Sequence, residues 1–434
     1  MLWLKNARVI DPAQGVAGIM DLAARDGRVL SVGRDIAAGL PDGETAEVID
    51  CAGKYLFPGL VDVHVHLREP GQEEKEDITS GSRAAVRGGV TSLLCMANTE
   101  PVIDNQALTA LVADRGRRAA LARIYPLAAV TKGMAGAELT EMAELKASGA
   151  KGFSDDGRGV QNGEIMRLAL EYAKLTGCPI VSHCEDAALA GGGVMRRGRA
   201  SAARGLIGIP GAAESVMAAR DVLLAGETGG RLHLAHVSTQ GTLAALRAGK
   251  AAGWDITAEV NPHHLILTDE DVPLTNSNFK VNPPLPTAED RDALLAALAD
   301  GLIDMLASDH APHTWEEKAR PFAEAPFGMT ALETALAAVW TYLVRPGKLT
   351  AARLIDAYSR RPAERFGLEA GTLKPGAPAD MILFDPDWEE TVSADNMASK
   401  SANTPFLGRR LRGYPIKTWV GGRLVFDRLA QPPV

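Results

Sequence analysis

The sequence predicts an α/β protein: a (β/α)8, TIM-like barrel carrying a small β-sandwich domain built from the N- and C-terminal segments. Three observations predict it. Eight apolar, β-branched runs alternate with Ala/Leu-rich amphipathic segments that stop at glycine, the rhythm of repeated βα units around a parallel sheet. Residues able to ligate a metal or move a proton recur at the carboxyl ends of those runs. In a barrel all such ends open on one mouth, whereas a doubly wound sheet would spread them about a switch point. Both chain ends read instead as short strands punctuated by turns, too few at either end for a stable sheet.

The first stretch, LWLKNARVIDP, leads into DLAARDGRVLSVG, with Asp26 and Gly27 at a hairpin tip, and then into AEVIDCAGKYLFPG. Near the other end ADMILFDP precedes IKTWVGGRLVFD, where Gly421 and Gly422 mark a second tight hairpin. Residues 1–58 and 367–434 are therefore expected to pair into one composite β domain, with 59–366 inserted as the barrel. The eight strand candidates are LVDVHVH, TSLLCMAN, IYPLAAV, AKGFSDD, PIVSHCE, RLHLAHVS, DITAEVN and IDMLASD. Helices between them should end near Gly88 and Gly89, Gly116, Gly149, Gly177, Gly229, Gly253 and Gly301, because glycine supplies the left-handed exit turn. Ala187 to Ser215 and Leu265 to Pro286 are long for connections and are candidate rims or lids of the mouth.

Composition narrows the function. The 434 residues carry 46 Lys+Arg against 54 Asp+Glu, a formal net charge of −8, with no long basic run. Nothing there offers an electrostatic footprint for nucleic acid or an anionic membrane, so a small-molecule substrate is expected. No apolar run approaches the ~18 residues of a membrane span, and MLWLKNARVIDP lacks the pattern of a secretion signal. Cys51, Cys95, Cys178 and Cys184 are scattered without metal-knuckle spacing, which fits reduced, buried thiols in a cytoplasm. Cys184 follows His183 but has no evident orienting base, so a nucleophilic role is disfavoured.

The densest chemical signal is PGLVDVHVHLREPG. On an extended strand Asp62, His64, His66 and Arg68 share one face, while Val61, Val63, Val65 and Leu67 share the other and are expected to pack against the barrel helices. A lone His-x-His could as well be a solvated edge pair; the aliphatic alternation argues for a central strand. The second signal is ASDHAPHTWEEK, directly after the apolar IDML. There Asp309 can both ligate a metal and exchange a proton with water, with His313 one short turn beyond. Asp156, His183 and His236 end three further strand candidates.

Imidazole and carboxylate are the donors that Zn(II) accepts. His64, His66, Asp156, His183, His236 and Asp309 make six groups from five strands, more than one tetrahedral ion uses. The set suits two zinc ions ~3.5 to 4 Å apart sharing a bridging oxygen. His233, of opposite parity to His236, is expected to pack or to orient a ligand. His263 and His264 could support the site, line its wall or take a direct role, and His310 should orient a neighbour. Arg68, Asn98 and His313 offer hydrogen-bond donors around a carboxylate-sized space, which implies an anionic substrate.

These motifs resemble the dihydroorotases of the amidohydrolase superfamily. DVHVHLREPG and ASDHAPHTWEEK are similar to the family's two diagnostic stretches, and MANTEP, GFSDDG, SHCED, LAHVST, KVNPPL and APFGMTALET to its intervening blocks in order. The resemblance runs from about Gly59 to Pro362. It implies reversible cyclisation of N-carbamoyl-L-aspartate to L-dihydroorotate, through metal-bound hydroxide attack on the ring amide with Asp309 as general acid/base. It also implies that His64 and His66 hold the more buried zinc and that His183 and His236 hold the more exposed one. Arg68, Asn98 and His313 would bind the substrate carboxylate, and Asn282, Phe327 and Gly328 would touch the ring. Relatives that bridge their ions with a carboxylated lysine leave two candidates here, Asp156 and Lys151.

Partners implied are the small-molecule substrate, a second copy of the chain in a homodimer, and an aspartate transcarbamoylase. Two rival functions share parts of this pattern. A hydantoinase or allantoinase would keep the metal ligands without needing the carboxylate clamp. A catalytically silent assembly partner of aspartate transcarbamoylase could dispense with the ligands, yet all six are present.

Overall fold

The computed structural model describes residues 1–34, 36 and 45–430. Five strands open the chain: β1 (Leu2–Asp11), β2 (Val16–Arg25), β3 (Arg28–Gly33), β4 (Glu47–Asp50) and β5 (Tyr55–Pro58). The β2–β3 turn falls at Asp26 and Gly27, with φ of 51° and 79°, the left-handed pair that a two-residue hairpin loop needs. Next come β6 (Leu60–Val65), β7 (Val90–Cys95), β8 (Arg123–Pro126) and β9 (Ile180–Ser182). A short parallel ribbon, β10 (Met195–Arg196) with β11 (Gly208–Ile209), precedes β12 (Leu232–Leu234), β13 (Ile256–Val260) and β14 (Met305–Leu306). The chain ends in β15 (Met381–Thr391), β16 (Arg410–Val420) and β17 (Arg423–Asp427).

The barrel is built from two parallel arcs, β6-β7-β8 and β9-β12-β13-β14. Single parallel bridges close it: Phe153 joins Ala128 to Ile180, and His310 joins Val65. Helices between the strands start on side-chain caps that satisfy their first free N–H groups. Asp77 accepts from Ser80 N, Asn105 from Leu108 N, Thr239 from Thr242 N and Thr287 from Asp290 N. Gly229 and Gly301 close Ala212–Thr228 and Ala288–Asp300 in the left-handed conformation.

Three expectations change. The fourth strand candidate, AKGFSDD, contributes a single bridging residue, Phe153. Beyond it the backbone of Val130 and Thr131 donates to the Asp155 carboxylate (2.8 and 3.1 Å) in place of a ladder partner. Gly116 does not end a helix. It lies within Gln106–Ala119, where a Cβ would stand 2.6 Å from Ile124 Cβ, so its lack of a side chain lets the helix lie against β8; the exit turn is Ala120 at φ 53°.

The third change is in β6. Pairing with β7 runs Val61 to Ser92 and Asp62 to Leu93, then Val65 to Cys95, so β6 carries an extra residue there. Such a bulge re-aims side chains. Val61 and Val63 pack among Leu94, Met96, Leu127, Val181, Met305 and Phe366, while Val65 and Leu67 join the cluster that includes helix residues Ile78, Ala84 and Ala85. The aliphatic side chains are thus split between two cores, and His64 is released toward the mouth. Asp62 is left below it, accepting from Ser308 N (3.1 Å), His64 N (3.3 Å) and Tyr358 OH (2.7 Å).

The β-sandwich domain is one hydrogen-bonded sheet in the order β17-β16-β15-β5-β1-β2-β3, with β4 also on β1. Strands from both chain ends meet at β5 and β15, antiparallel from Pro58–Met381 to Tyr55–Phe384. Its core joins Leu4, Val9, Leu22 and Leu56 to Met381, Leu383, Ile416 and Trp419. Between β15 and β16, residues 392–409 leave the sheet and run to the barrel mouth. Among the described residues no helix is long and apolar enough to cross a membrane.

Candidate active site

The barrel strands deliver their terminal side chains to one buried cluster. His64 Nε2 lies 3.4 Å from Asp156 Oδ1 and 3.5 Å from Asp309 Oδ1. His66 Nε2 lies 3.5 Å from Asp156 Oδ2 and 3.2 Å from Asp309 Oδ1. On the other side of Asp156, His183 Nδ1 and His236 Nε2 each stand 3.4 Å from Oδ1 and 2.8 Å from one another. Two three-residue groups suited to a cation result, His64–His66–Asp156 and Asp156–His183–His236, sharing one carboxylate.

His64 Nε2 and Asp156 Oδ1 are buried without a hydrogen-bond partner among the described residues. Buried polar atoms are rarely left so, and a lone pair facing a shared carboxylate suits a bound cation. Burial alone would raise the Asp156 acid, yet His64, His183 and His236 outweigh it and hold the carboxyl well below its usual range. Burial opposes ionisation of Asp309 too, and His64 and His66 again prevail. Arg68, His236 and Asp309 hold backbone φ of 61°, 32° and 49°, a left-handed region that non-glycine residues occupy chiefly where surrounding structure imposes it.

Lys151 takes no part in this cluster. It sits at the start of its segment with Nζ 5.4 Å from the Tyr125 ring centre, in a cavity shared with Arg117, Arg123 and Val420. The carboxylate between the two histidine pairs belongs to Asp156.

A cavity of about 220 Å³ opens over the cluster. His66, Asp156, His183 and Asp309 line it, together with Arg68, Asn98, Asn282, His313, Phe327 and Gly328; His64 and His236 stand behind them. A larger cavity of about 530 Å³ adjoins Lys151 but contains none of these residues. The guanidinium of Arg68 is held by Pro312 O (Nε, 3.1 Å) and His313 Nε2 (NH2, 3.2 Å). Because arginine can only donate, His313 Nε2 accepts, and its Nδ1–H donates to Glu317 Oε2 (3.0 Å). Burial, with Arg68 adjacent, pushes the His313 imidazolium down to about 3. His313 therefore orients the arginine in this arrangement, where the sequence suggested a further donor to the substrate.

Behind the ligands lies a residue the sequence reading passed over. Glu259, on β13, is fully buried and binds His64 Nδ1 (2.6 Å) and His233 Nε2 (3.0 Å). Burial would raise it, but His64 and His233 hold it down to about 2. The available signal was the one acid within ITAEV, a run otherwise suited to full burial. His233, completed by Thr257 Oγ1 (2.8 Å), is the orienting partner its parity suggested. Leucine at Glu259 is expected to weaken metal binding about 10- to 100-fold, measured by competition with a chelator; unchanged affinity would mean that packing alone fixes His64.

The other histidines shape the walls. His264 Nε2–H donates to Pro283 O (2.9 Å), steadying the segment that carries Asn282. Burial lowers His263 to about 4. His310 spans Glu76 Oε2 (3.3 Å) and Ala331 N (3.1 Å). Asn98 Oδ1 accepts from His66 Nδ1 (2.8 Å), so its amide NH2 is the part that can face a ligand. Cys184 is inert by environment: burial pushes its thiol well above the ordinary range, and all four cysteines are buried and unpaired.

The stretches 187–215 and 265–286 pack on each other, Met195 and Ala200 against Leu267, Val272 and Leu285. Arg204 donates to Val272 O (3.0 Å) and Glu270 O (3.1 Å). Of the two, 265–286 lines the cavity, through Val281 and Asn282.

Residues 53–242 match the family model described as Dihydro-orotase-like. The chain is 49% identical over 427 residues to a dihydroorotase of Pelotomaculum thermopropionicum, covering 98% of each chain. It is 49% identical to one of Pelobacter propionicus, covering 98% of this chain and 100% of that one. Among solved structures, the L-hydantoinase (dihydropyrimidinase) of Arthrobacter aurescens matches with TM-score 0.87 at 26% identity, over 98% of this chain and 96% of that one. The D-hydantoinase of a Thermus species matches with TM-score 0.83 at 27% identity, over 98% and 95%. Identity near one half along almost the full length of both chains is decisive: the chain belongs to the dihydroorotase family.

Proposed function

We propose that this chain is a zinc-dependent dihydroorotase, interconverting N-carbamoyl-L-aspartate and L-dihydroorotate in de novo pyrimidine biosynthesis. The observation that carries the reading is a guanidinium, Arg68, fixed in the same 220 Å³ cavity as the histidine–carboxylate cluster. A neutral ring amide needs only the cluster, whereas a ring bearing a carboxylate needs the cation beside it. The likeness to hydantoinase structures speaks for a cyclic amide substrate; Arg68 and the dihydroorotase relatives speak for the acidic one.

The donor set fits two zinc ions: His64 and His66, with Asp309, would hold one, His183 and His236 would hold the other, and Asp156 would serve both. When bound, such a pair supplies a water acidic enough to ionise near neutral pH and an electrophile for a carbonyl oxygen. The chain's own residues do the rest. Arg68 and the Asn98 amide hold the substrate carboxylate and so place the ring carbonyl next to the methylene over the cluster. Asn282, Phe327 and Gly328 bound the ring.

Asp309 removes the proton of the attacking water and delivers it to the ring nitrogen as the carbon–nitrogen bond breaks; cyclisation runs the same transfers in reverse. Asn261 Nδ2, 3.4 Å from Asp309 Oδ2, helps to orient that carboxylate.

In this reading the chain has a composite domain of 1–58 and 367–434 and a catalytic domain of 59–366. The protein works as a cytoplasmic homodimer, in which the four unpaired cysteines stay reduced, able to associate with an aspartate transcarbamoylase. The purified, zinc-loaded chain is expected to open L-dihydroorotate and to lose that activity to a chelator, regaining it with zinc. Turnover of hydantoin with none of dihydroorotate would overturn the reading.

A further inference from the structure

Residues 392–409 belong to the C-terminal half of the chain yet reach the barrel mouth. Lys400 Nζ pairs with Asp77 Oδ2 (2.6 Å), Ser401 Oγ donates to Lys75 O (2.8 Å), and Ala398 N donates to Glu333 Oε2 (2.9 Å). The segment delivers Asn403, 4% exposed, to a place between two barrel loops.

The amide of Asn403 is used on every side. Its Oδ1 accepts from His313 N (3.1 Å), and its Nδ2 donates to Ala311 O (3.1 Å) and to Gly328 O (3.1 Å). Its own carbonyl accepts from Thr330 N (3.1 Å). Only one orientation of the amide satisfies one N–H and two carbonyls, so its direction is fixed by its partners. The residue between the two anchored positions, 311 and 313, is Pro312, whose carbonyl holds Arg68 Nε, while the His313 ring holds Arg68 NH2.

We propose that Asn403 is a positioning residue for the carboxylate clamp: by pinning 311–313 to the Gly328 loop it sets the direction of the Arg68 guanidinium, and with it the preference for an acidic ring. This rests on the functional reading above. Alanine leaves His313 N and Ala311 O without their partner and leaves Gly328 O only Lys318 Nζ (3.0 Å), and aspartate keeps the acceptor but loses both donors.

A double-mutant cycle between Asn403→Ala and Arg68→Met tests it, read as KM and kcat for L-dihydroorotate with thermal midpoints measured alongside. Asn403→Ala is expected to raise KM about 10-fold with kcat changed far less. In the Arg68→Met background the same change should move KM by less than about twofold, since residues acting through one another are not additive. Asn403→Asp, which retains the contact to His313 N, provides the same comparison if the alanine variant is poorly folded.

A purely structural role would lower the thermal midpoint and the active fraction, depress kcat, and act equally in both backgrounds. Equal KM effects with and without Arg68, or no KM effect at all, overturn the proposal. An absence of dihydroorotate turnover in the wild type would instead overturn the functional reading, so the two failures are distinguishable.

Discussion

Asparagine at position 309 is expected to lower kcat by about 10²- to 10⁴-fold, the contribution typical of general acid–base transfer, with the thermal midpoint almost unchanged. Asparagine is the informative replacement because Asp309 sits at φ 49°, a conformation asparagine tolerates and alanine resists. It also keeps one oxygen at the cluster, where that of Asp309 lies 3.2 Å from His66 Nε2. What it cannot do is take a proton from water and return it to the departing nitrogen. Steady-state assay in both directions, beside metal content, measures this. Near-normal turnover in a fully metallated variant would remove Asp309 from the proton path.

Methionine at Arg68 is expected to lower kcat/KM for L-dihydroorotate by about 10²-fold, the scale of one or two hydrogen bonds to a charged group in a desolvated site. The guanidinium is buried, and burial brings its pKa down to about 10, so it stays charged at neutral pH. It replaces bulk water as the carboxylate's partner. Lysine should rescue little, because two atoms on a fixed plane contact Pro312 O and His313 Nε2, and an ammonium has no such plane. The loss should appear mainly in KM. A change below twofold would indicate a site indifferent to the carboxylate, as a hydantoinase would be.

The clustering of the candidate ligands was legible because ligation restricts residue type and barrel topology fixes place. His64, His66, Asp156, His183, His236 and Asp309 each end a strand candidate, and strand ends in a closed parallel barrel meet. Arg68 followed from its spacing to His66. The rest depended on contacts between distant segments. The bulge in β6 leaves no mark in an alternating VDVHV, so the valines looked like one face when they serve two cores.

Gly116 resembled a helix stop, since periodicity cannot separate a glycine needed for its φ from one needed for the closeness of Ile124. The His313 tautomer is set by Arg68 and Glu317, and Glu259 acquires meaning only once His64 and His233 stand on either side of it. Asn403 lies in a segment that reads as part of the β domain, and its partners are 75 to 92 residues away in sequence.

Asp156 stands between two histidine pairs, and the proposed two-ion centre has that carboxylate in common. Anomalous diffraction at the zinc edge from crystals of the zinc-loaded chain decides whether it is so. Two peaks are expected, one against His64 and His66 and one against His183 and His236, each touching an oxygen of Asp156. A single peak, or a pair bridged by density on Lys151 with Asp156 turned away, would contradict it.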